Sequence, residues 1–146
     1  MRKSKDNVLT LLQEHKAELS GLCERSTFVP GSVLFREGEE GDSAFVIEKG
    51  EIVVSRVIDG REKAIGVAGA GDIVGEIALF SGNPRTAPAV TNKELKAIVL
   101  TRDGINRMKT KSPQTAIALY ERILQIVTGR LRGAIDHYEV IYHLLT

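Results

Sequence analysis

Residues 75–87 read Gly-Glu-Ile-Ala-Leu-Phe-Ser-Gly-Asn-Pro-Arg-Thr-Ala, and a short helical turn starting at Gly75 or Glu76 interrupts a region otherwise rich in strand-forming residues. The first backbone N–H groups of such a turn have no intrahelical acceptor, and a glycine lets a ligand approach them closely. Arg85 adds a permanent charge and a planar set of donors suited to phosphate oxygens, and Thr86 adds a hydroxyl. The stretch therefore predicts an anion site.

Glu76 lies beside this predicted anion site, where its carboxylate would repel a phosphate. A carboxylate in that position has an evident other task, which is to accept a hydrogen bond from a ribose hydroxyl. A phosphate next to a sugar hydroxyl indicates a nucleotide. The plainer interpretation is a partly exposed ion pair between Glu76 and Arg85 that binds no ligand.

The sequence on either side of this stretch has the spacing of strands and turns. Ten of the fourteen glycines lie between Gly31 and Gly82, and six of them recur at intervals of nine to eleven residues. Turn pairs such as Asp59-Gly60 favour tight hairpins between such strands. Strands are predicted at residues 33–35, 44–47, 52–57, 64–67 and 95–100. A β-barrel or a β-sandwich is the expected product.

Helical patterns flank these strands. Residues 5–24 predict one or two short amphipathic helices, and a short helix is predicted after Thr101 to about Lys109. Pro113, directly after Ser112, predicts the first turn of a longer helix. Its apolar residues alternate in steps of three and four, which is the pattern of heptads: Ile117, Tyr120, Leu124, Val127, Leu131, Ala134, Tyr138, Ile141 and Leu145.

Composition and charge place the 146 residues in one globular domain, 1–146, because 42% are hydrophobic and 27% are charged. A net charge of +1 without a long block of one sign argues against direct nucleic-acid binding. The lone Cys23, expected to be an inert thiol buried on an amphipathic helix, and the lack of a signal-peptide pattern predict a reduced, cytoplasmic protein. Charges interrupt every apolar run, so no membrane span is expected.

Two stretches of the sequence are distinctive. The first is residues 28–47, Phe-Val-Pro-Gly-Ser-Val-Leu-Phe-Arg-Glu-Gly-Glu-Glu-Gly-Asp-Ser-Ala-Phe-Val-Ile, with Lys49-Gly50-Glu51 behind it. The second is Gly-Asp-Ile-Val-Gly-Glu-Ile-Ala-Leu at residues 71–79, continued by Pro-Arg-Thr-Ala at 84–87. With these two stretches the chain resembles the cyclic nucleotide-binding domain family, which includes bacterial catabolite activator proteins, regulatory subunits of the cyclic AMP-dependent kinase and cyclic nucleotide-gated channels. The second stretch is similar to the phosphate-binding cassette of that family.

The resemblance implies a mainly β fold, a jelly-roll β-barrel (double-stranded β-helix). The barrel would cover residues 27–101, between N-terminal helices at 5–24 and C-terminal helices at 102–146. Phe28, Phe35 and Phe45 are expected in its core because they fall at strand positions.

The resemblance also implies the ligand, cyclic AMP or cyclic GMP, with cyclic AMP favoured, and neither a metal nor a cofactor. Within the cassette 75–87, Glu76 would take the ribose 2′-hydroxyl, while Arg85 and Thr86 would take the cyclic phosphate. Backbone amides near Ile77 and Ala78 would complete its cradle, and Gly75 and Ala87 would complete the ligand-binding set. The chain departs from the family at Pro88, where an N–H and a hydroxyl are missing as the next strand begins.

The implied function is a non-enzymatic sensor whose C-terminal helices move or become ordered when the ligand binds. By resemblance, Tyr138 or Tyr142 of the last helix would cover the base; the competing interpretation is that both pack in the helix seam, Tyr138 above all, since it lies on a heptad position. Apolar residues off that seam predict that part of the helix packs on the barrel and part on a second copy, as a homodimer through residues 113–146. Gly129 and Gly133 mark either a hinge or a boundary between two helices.

Other classes of function have less support. A cupin-type enzyme would need metal-binding histidines on strands, whereas His15, His137 and His143 all fall in predicted helices. A DNA-binding regulator would need a helix-turn-helix after the long helix, and we expect none within the printed residues, which end at Thr146. The serious alternative is a module of the same fold that binds no nucleotide and acts through interaction or dimerisation.

Overall fold

The computed structural model describes residues 7–145, without the side chains of residues 140–142 and 145. In chain order the elements are α1 (Val8–Glu14), β1 (Glu24–Phe28), β2 (Val33–Phe35), β3 (Ser43–Lys49), β4 (Ile52–Ile58), β5 (Arg61–Ala68), β6 (Ile73–Val74), α2 (Glu76–Ser81), β7 (Ala89–Val90), β8 (Leu95–Thr101), α3 (Arg102–Lys111) and α4 (Pro113–Leu145). The predicted mainly β class, with helices at both ends of the chain, is confirmed.

The strands form two four-stranded antiparallel sheets, in the orders β1-β8-β3-β6 and β2-β7-β4-β5. The predicted jelly-roll fold is confirmed, although the two sheets do not close into a continuous barrel. β4 and β5 form a long hairpin whose turn holds Asp59 at φ 54° and Gly60 at φ 76°. Positive φ at both turn residues matches the right-handed twist of the paired strands, which is why Asp-Gly predicted this hairpin.

Alternation along β3 divides the core into two apolar clusters. Phe45 and Ile47 point between the sheets, where the first cluster also contains Phe35. Ala44 and Val46 point the other way, into a second cluster formed with the helices. Side chains of one strand alternate between its faces, so β3 is covered on both sides. The three phenylalanines lie in the core as predicted. The ring centroid of Phe45 is 5.9 Å from that of Phe28 and 6.2 Å from that of Phe35.

The N-terminal region differs from the prediction of helices over 5–24. In the described part of this region, residues 7–24, the α-helix is α1, which ends at Glu14. β1 already begins at Glu24, whereas the barrel was expected to start at residue 27. The strand forms because β8 supplies a paired partner for each of its five residues. Cys23 is therefore not on a helix: it lies half-buried just before β1, and burial raises the pKa of its thiol to about 11. A thiol so protonated is inert, as expected.

α4 is one uninterrupted helix of 33 residues, beginning at Pro113 as predicted. The interpretation of Gly129 and Gly133 as a boundary between two helices is therefore wrong. Ala116, Leu119 and Ile123 are buried against the helix side of the core. Part of α4 thus packs on the rest of its own domain, as predicted. No helix within residues 7–145 is long and apolar enough to cross a bilayer.

Candidate functional site

The cassette 75–87 forms one wall of a cavity of about 360 Å³. β6 ends at Val74, and Gly75, at φ 91°, turns the chain into α2. A side chain at Gly75 would place its Cβ 2.6 Å from Nη1 of Arg85, so this position requires glycine for space as well as for its backbone angle. α2 ends at Gly82, whose N–H donates to the Ala78 carbonyl at 3.0 Å.

Arg85 is held inside this wall with 5% of its surface exposed. Its Nη1 donates to the Gly75 carbonyl at 2.9 Å, and its Nη2 donates to the Ser43 carbonyl at 2.7 Å. The guanidinium stacks over Phe35, 4.0 Å from the ring centroid. Its Nε is buried and has no partner among the described residues. A guanidinium carries five N–H donors, so these contacts leave hydrogen-bonding capacity for an anion.

Two opposing effects act on the pKa of the Arg85 guanidinium. Burial lowers the pKa of Arg85, whereas the carboxylates of Asp42, Glu39 and Glu76 raise it. An arginine keeps its proton in proteins even under such burial. The cavity wall therefore contains a fixed positive charge.

Glu76 is also buried, with 3% of its surface exposed, but its ion-pair partner is not Arg85. Arg130 of α4 donates from Nη1 to Glu76 Oε2 at 2.9 Å and from Nη2 to the Ile73 carbonyl at 2.9 Å. The interpretation from the sequence that Glu76 forms an ion pair with Arg85 is therefore wrong, because the partner of Glu76 is Arg130. Arg130 was missed because nothing in its helical neighbourhood marks it. The available signal was the buried carboxylate itself, which needs a cation.

All seven cassette residues expected at the ligand line this one cavity: Gly75, Glu76, Ile77, Ala78, Arg85, Thr86 and Ala87. Ile77 lies exposed, whereas Ala78 and Ala87 are buried. Thr86 is exposed, and its carbonyl accepts a hydrogen bond from Nη2 of Arg56 at 3.1 Å. Strands β4 and β5 contribute apolar lining residues, Val54, Val67 and Ala68.

Of the two tyrosines proposed as a base lid, the structure describes the side chain of Tyr138 and places it outside this cavity wall. Tyr138 is 69% exposed and is not among the residues that line the cavity. The side chain of Tyr142 lies outside the described residues. Among the described side chains of α4, Arg130 lines the cavity, and it lies two helical turns before Tyr138.

The chemistry of the cavity suits an organic anion. Its lining combines two arginines and a buried carboxylate with apolar side chains of β4 and β5. Such a pairing of charge-assisted donors with an apolar wall is typical of sites that bind a phosphate joined to a ring system. In the part of the chain that the structure describes, no group of three or more His, Cys, Asp or Glu side chains is arranged to hold a metal ion.

Comparison with known proteins adds independent information. Residues 25–112 match the family model of the cyclic nucleotide-binding domain. The chain is 33% identical over 117 residues to a CRP-like cAMP-activated global transcriptional regulator of Mycobacterium tuberculosis, covering 80% of this chain and 50% of the regulator. It is 28% identical over 120 residues to a cAMP-dependent protein kinase regulatory subunit of Hypocrea atroviridis, covering 82% of this chain and 25% of the subunit.

A solved structure supports the same comparison. A crystal structure described as a cyclic nucleotide-binding domain from Methylobacillus flagellatus superposes with a TM-score of 0.78 at 29% identity, covering 85% of this chain and 70% of that one. The chain spans half or less of the two curated relatives, so what those whole proteins do does not transfer to it directly.

Proposed function

Since this chain belongs to the cyclic nucleotide-binding domain family, we propose that it is a non-enzymatic sensor module that binds cyclic AMP, or cyclic GMP less tightly, in the cavity of the cassette. The observation that carries the proposal is the burial of Arg85 and Glu76 in the walls of one cavity. A buried cation and a buried carboxylate facing the same space match the two polar ends of a cyclic ribonucleotide, its phosphate and its 2′-hydroxyl. The two relatives, both named as regulators, support a regulatory role.

The cyclic phosphate would bind on the Arg85 side of the cavity. The guanidinium is fixed by the Gly75 and Ser43 carbonyls, so it pays little conformational entropy when a phosphate oxygen arrives. The Thr86 hydroxyl and the amides of Ile77 and Ala78, which lie in the first turn of α2, would supply further donors. Charge-assisted hydrogen bonds of this kind are about twice as strong as neutral ones.

The ribose hydroxyl would donate to Glu76, which connects the ligand to α4. Arg130 already occupies Oε2 of that carboxylate, so a bound ribose must either share the carboxylate or displace Arg130. Either outcome changes how α4 is held to the cassette, because Arg130 also binds the Ile73 carbonyl from the same side chain. The Arg130 contact is thus the proposed route from ligand to helix.

The proposed output is a change in α4 and in a homodimer formed through residues 113–146. Ile117, Leu124, Leu131 and Tyr138 are exposed and lie seven residues apart, so they form one stripe along the helix. Sustained heptad spacing of apolar residues is the usual seam of a helical dimer. Closure of the base by Tyr138 or Tyr142, and a cytoplasmic location, stay predictions.

The experiment that tests the site compares cyclic AMP with its 2′-deoxy analogue on the parent chain and on Glu76→Gln. We expect Glu76→Gln to weaken cyclic AMP by about tenfold, because a hydrogen bond to a charged group contributes roughly 1.5 kcal/mol. The same variant should hardly change binding of the 2′-deoxy analogue, whose hydroxyl is already missing. Equal losses of affinity for both ligands would contradict this role and would mean that Glu76 stabilises the cassette instead.

A nucleotide-free interaction module is the second candidate, and one observation favours it. Arg130 satisfies the buried Glu76 carboxylate without any ligand. The two candidates differ in what the purified protein can contain. A cyclic nucleotide released when the purified protein is denatured, or saturable binding of added cyclic nucleotide, would support the sensor. A module without a ligand would show neither.

A further inference from the structure

The backbone of residues 86–88 lies at a place where strand pairing ends. β7 starts at Ala89, which pairs with Val54 of β4. One residue earlier, the Pro88 carbonyl accepts from the Ser55 amide at 3.3 Å, but Pro88 has no N–H to return that bond. On this side, therefore, the ladder between β4 and the segment that carries Thr86 is incomplete.

Arg56 supplies a hydrogen bond at this gap from its side chain. It follows Ser55 on β4, and its Nη2 donates to the Thr86 carbonyl at 3.1 Å. The residue opposite Arg56 on β5 is Lys63, another cation. Like charges directly opposite each other are unfavourable, so the guanidinium gains nothing by turning toward β5.

The other side of the same segment is held by backbone bonds. The Arg85 amide donates to the Glu39 carbonyl at 2.8 Å, and the Gly38 amide donates to the Arg85 carbonyl at 2.9 Å. Residues 85 and 86 are thus fixed to the turn between β2 and β3 on one side and to Arg56 on the other. Without Arg56, the described bonds fix the Thr86 peptide on one side only.

We propose that Arg56 is a positioning residue for the ligand phosphate. Its side chain adds a hydrogen bond from β4 to the segment whose strand pairing Pro88 interrupts, and it thereby keeps the Thr86 hydroxyl and the Arg85 backbone in place at the cavity. The inference rests on the proposed function, because it assigns Arg56 to the same site. It acts through Thr86, and Arg56 is not itself among the residues that line the cavity.

The test measures cyclic AMP affinity of the parent chain, Arg56→Met and Arg56→Lys, together with the melting temperature of each. Arg56→Met should weaken binding by about five- to tenfold, the effect of one lost hydrogen bond, with a melting temperature close to that of the parent. Arg56→Lys retains a donor and should recover most of the affinity. Arg61→Met is the matched control, since Arg61 is an exposed arginine on the same hairpin and does not line the cavity.

A second substitution separates positioning from a simple effect of charge. Pro88→Thr returns an N–H beside Ser55, so in the Arg56→Met background it should restore affinity to within about twofold of the parent. Failure of Pro88→Thr to restore binding would assign the loss to charge and overturn the proposal. Unchanged affinity in Arg56→Met would overturn it as well. A parent chain that binds no cyclic nucleotide would refute the proposed function and remove this inference with it.

Discussion

Replacing Arg85 by alanine removes its hydrogen bonds to two carbonyls and its stacking contact with Phe35 at once. The Gly75 and Ser43 carbonyls lose their donors, and the Phe35 ring loses the guanidinium above it. A buried acceptor left unsatisfied costs about 1–3 kcal/mol, although water entering the emptied space offsets part of this. We therefore expect Arg85→Ala to lower the free energy of unfolding by roughly 2–4 kcal/mol.

The effect on the ligand is expected to be larger. Truncating one partner of a desolvated charge pair costs about 2–5 kcal/mol, which corresponds to roughly thirty- to several-thousand-fold weaker binding of cyclic AMP. Arg85→Lys keeps the charge but has a single nitrogen in place of two that reach separate carbonyls. It should fall between the parent and Arg85→Ala in both stability and affinity.

Urea denaturation measures the stability change, and calorimetric titration at a temperature where every variant is folded measures the affinity change. Arg61→Ala serves as the control, because Arg61 is exposed and does not line the cavity. Binding by Arg85→Ala within about threefold of the parent would refute the assigned role of Arg85, since the estimated loss is at least tenfold larger. A loss of stability with unchanged affinity would leave Arg85 as a structural residue only.

Three further predictions follow from the described contacts. Arg130→Met leaves the buried Glu76 carboxylate without its cation, and urea denaturation should show a free energy of unfolding lower by roughly 1–2 kcal/mol. The loss is smaller than for a fully buried pair because Arg130 is half exposed. The double variant Arg130→Met with Glu76→Gln should recover most of the lost stability. Cys23 keeps its proton in the folded protein up to a pKa of about 11 but loses it near 9.0 when unfolded, so its contribution to stability is constant below pH 9 and falls as the pH rises toward 11. Cys23→Ala should abolish that fall, and a fall that persists in this variant would assign it to other groups. Leu131→Glu places a charge on the exposed stripe of α4 and should shift sedimentation from dimer to monomer while leaving the monomer folded; a parent chain that is already monomeric at high concentration would refute the dimer.

Local sequence patterns predicted the elements that depend on local chemistry. Asp59-Gly60 favours its hairpin by backbone geometry, and Pro113 marks the start of α4, and both lie where expected. The turn at Gly75 was predicted from the sequence and is confirmed as α2. The resemblance of the two quoted stretches to the cyclic nucleotide-binding family is confirmed by the family match over residues 25–112.

The features that sequence reasoning missed all depend on contacts between distant residues. β1 contains a mostly polar run, Glu24 to Thr27, and becomes a strand because β8 pairs with it. Arg130 meets Glu76 across 54 positions of sequence, and Arg56 meets Thr86 across 30. A charge on an exposed helix or strand surface gives no local sign of its partner. Such residues become visible only when the fold places a buried carboxylate or an incomplete ladder beside them.

The measurement that tests the central claim most directly is calorimetric titration of cyclic AMP into nucleotide-free protein, with cyclic GMP and linear 5′-AMP titrated in parallel. The account predicts saturable binding of one cyclic AMP per chain, weaker binding of cyclic GMP, and much weaker binding of 5′-AMP, whose phosphate is not held in a ring with the ribose. Absence of saturable heat with either cyclic nucleotide, in protein shown to be folded and free of bound nucleotide, would contradict it.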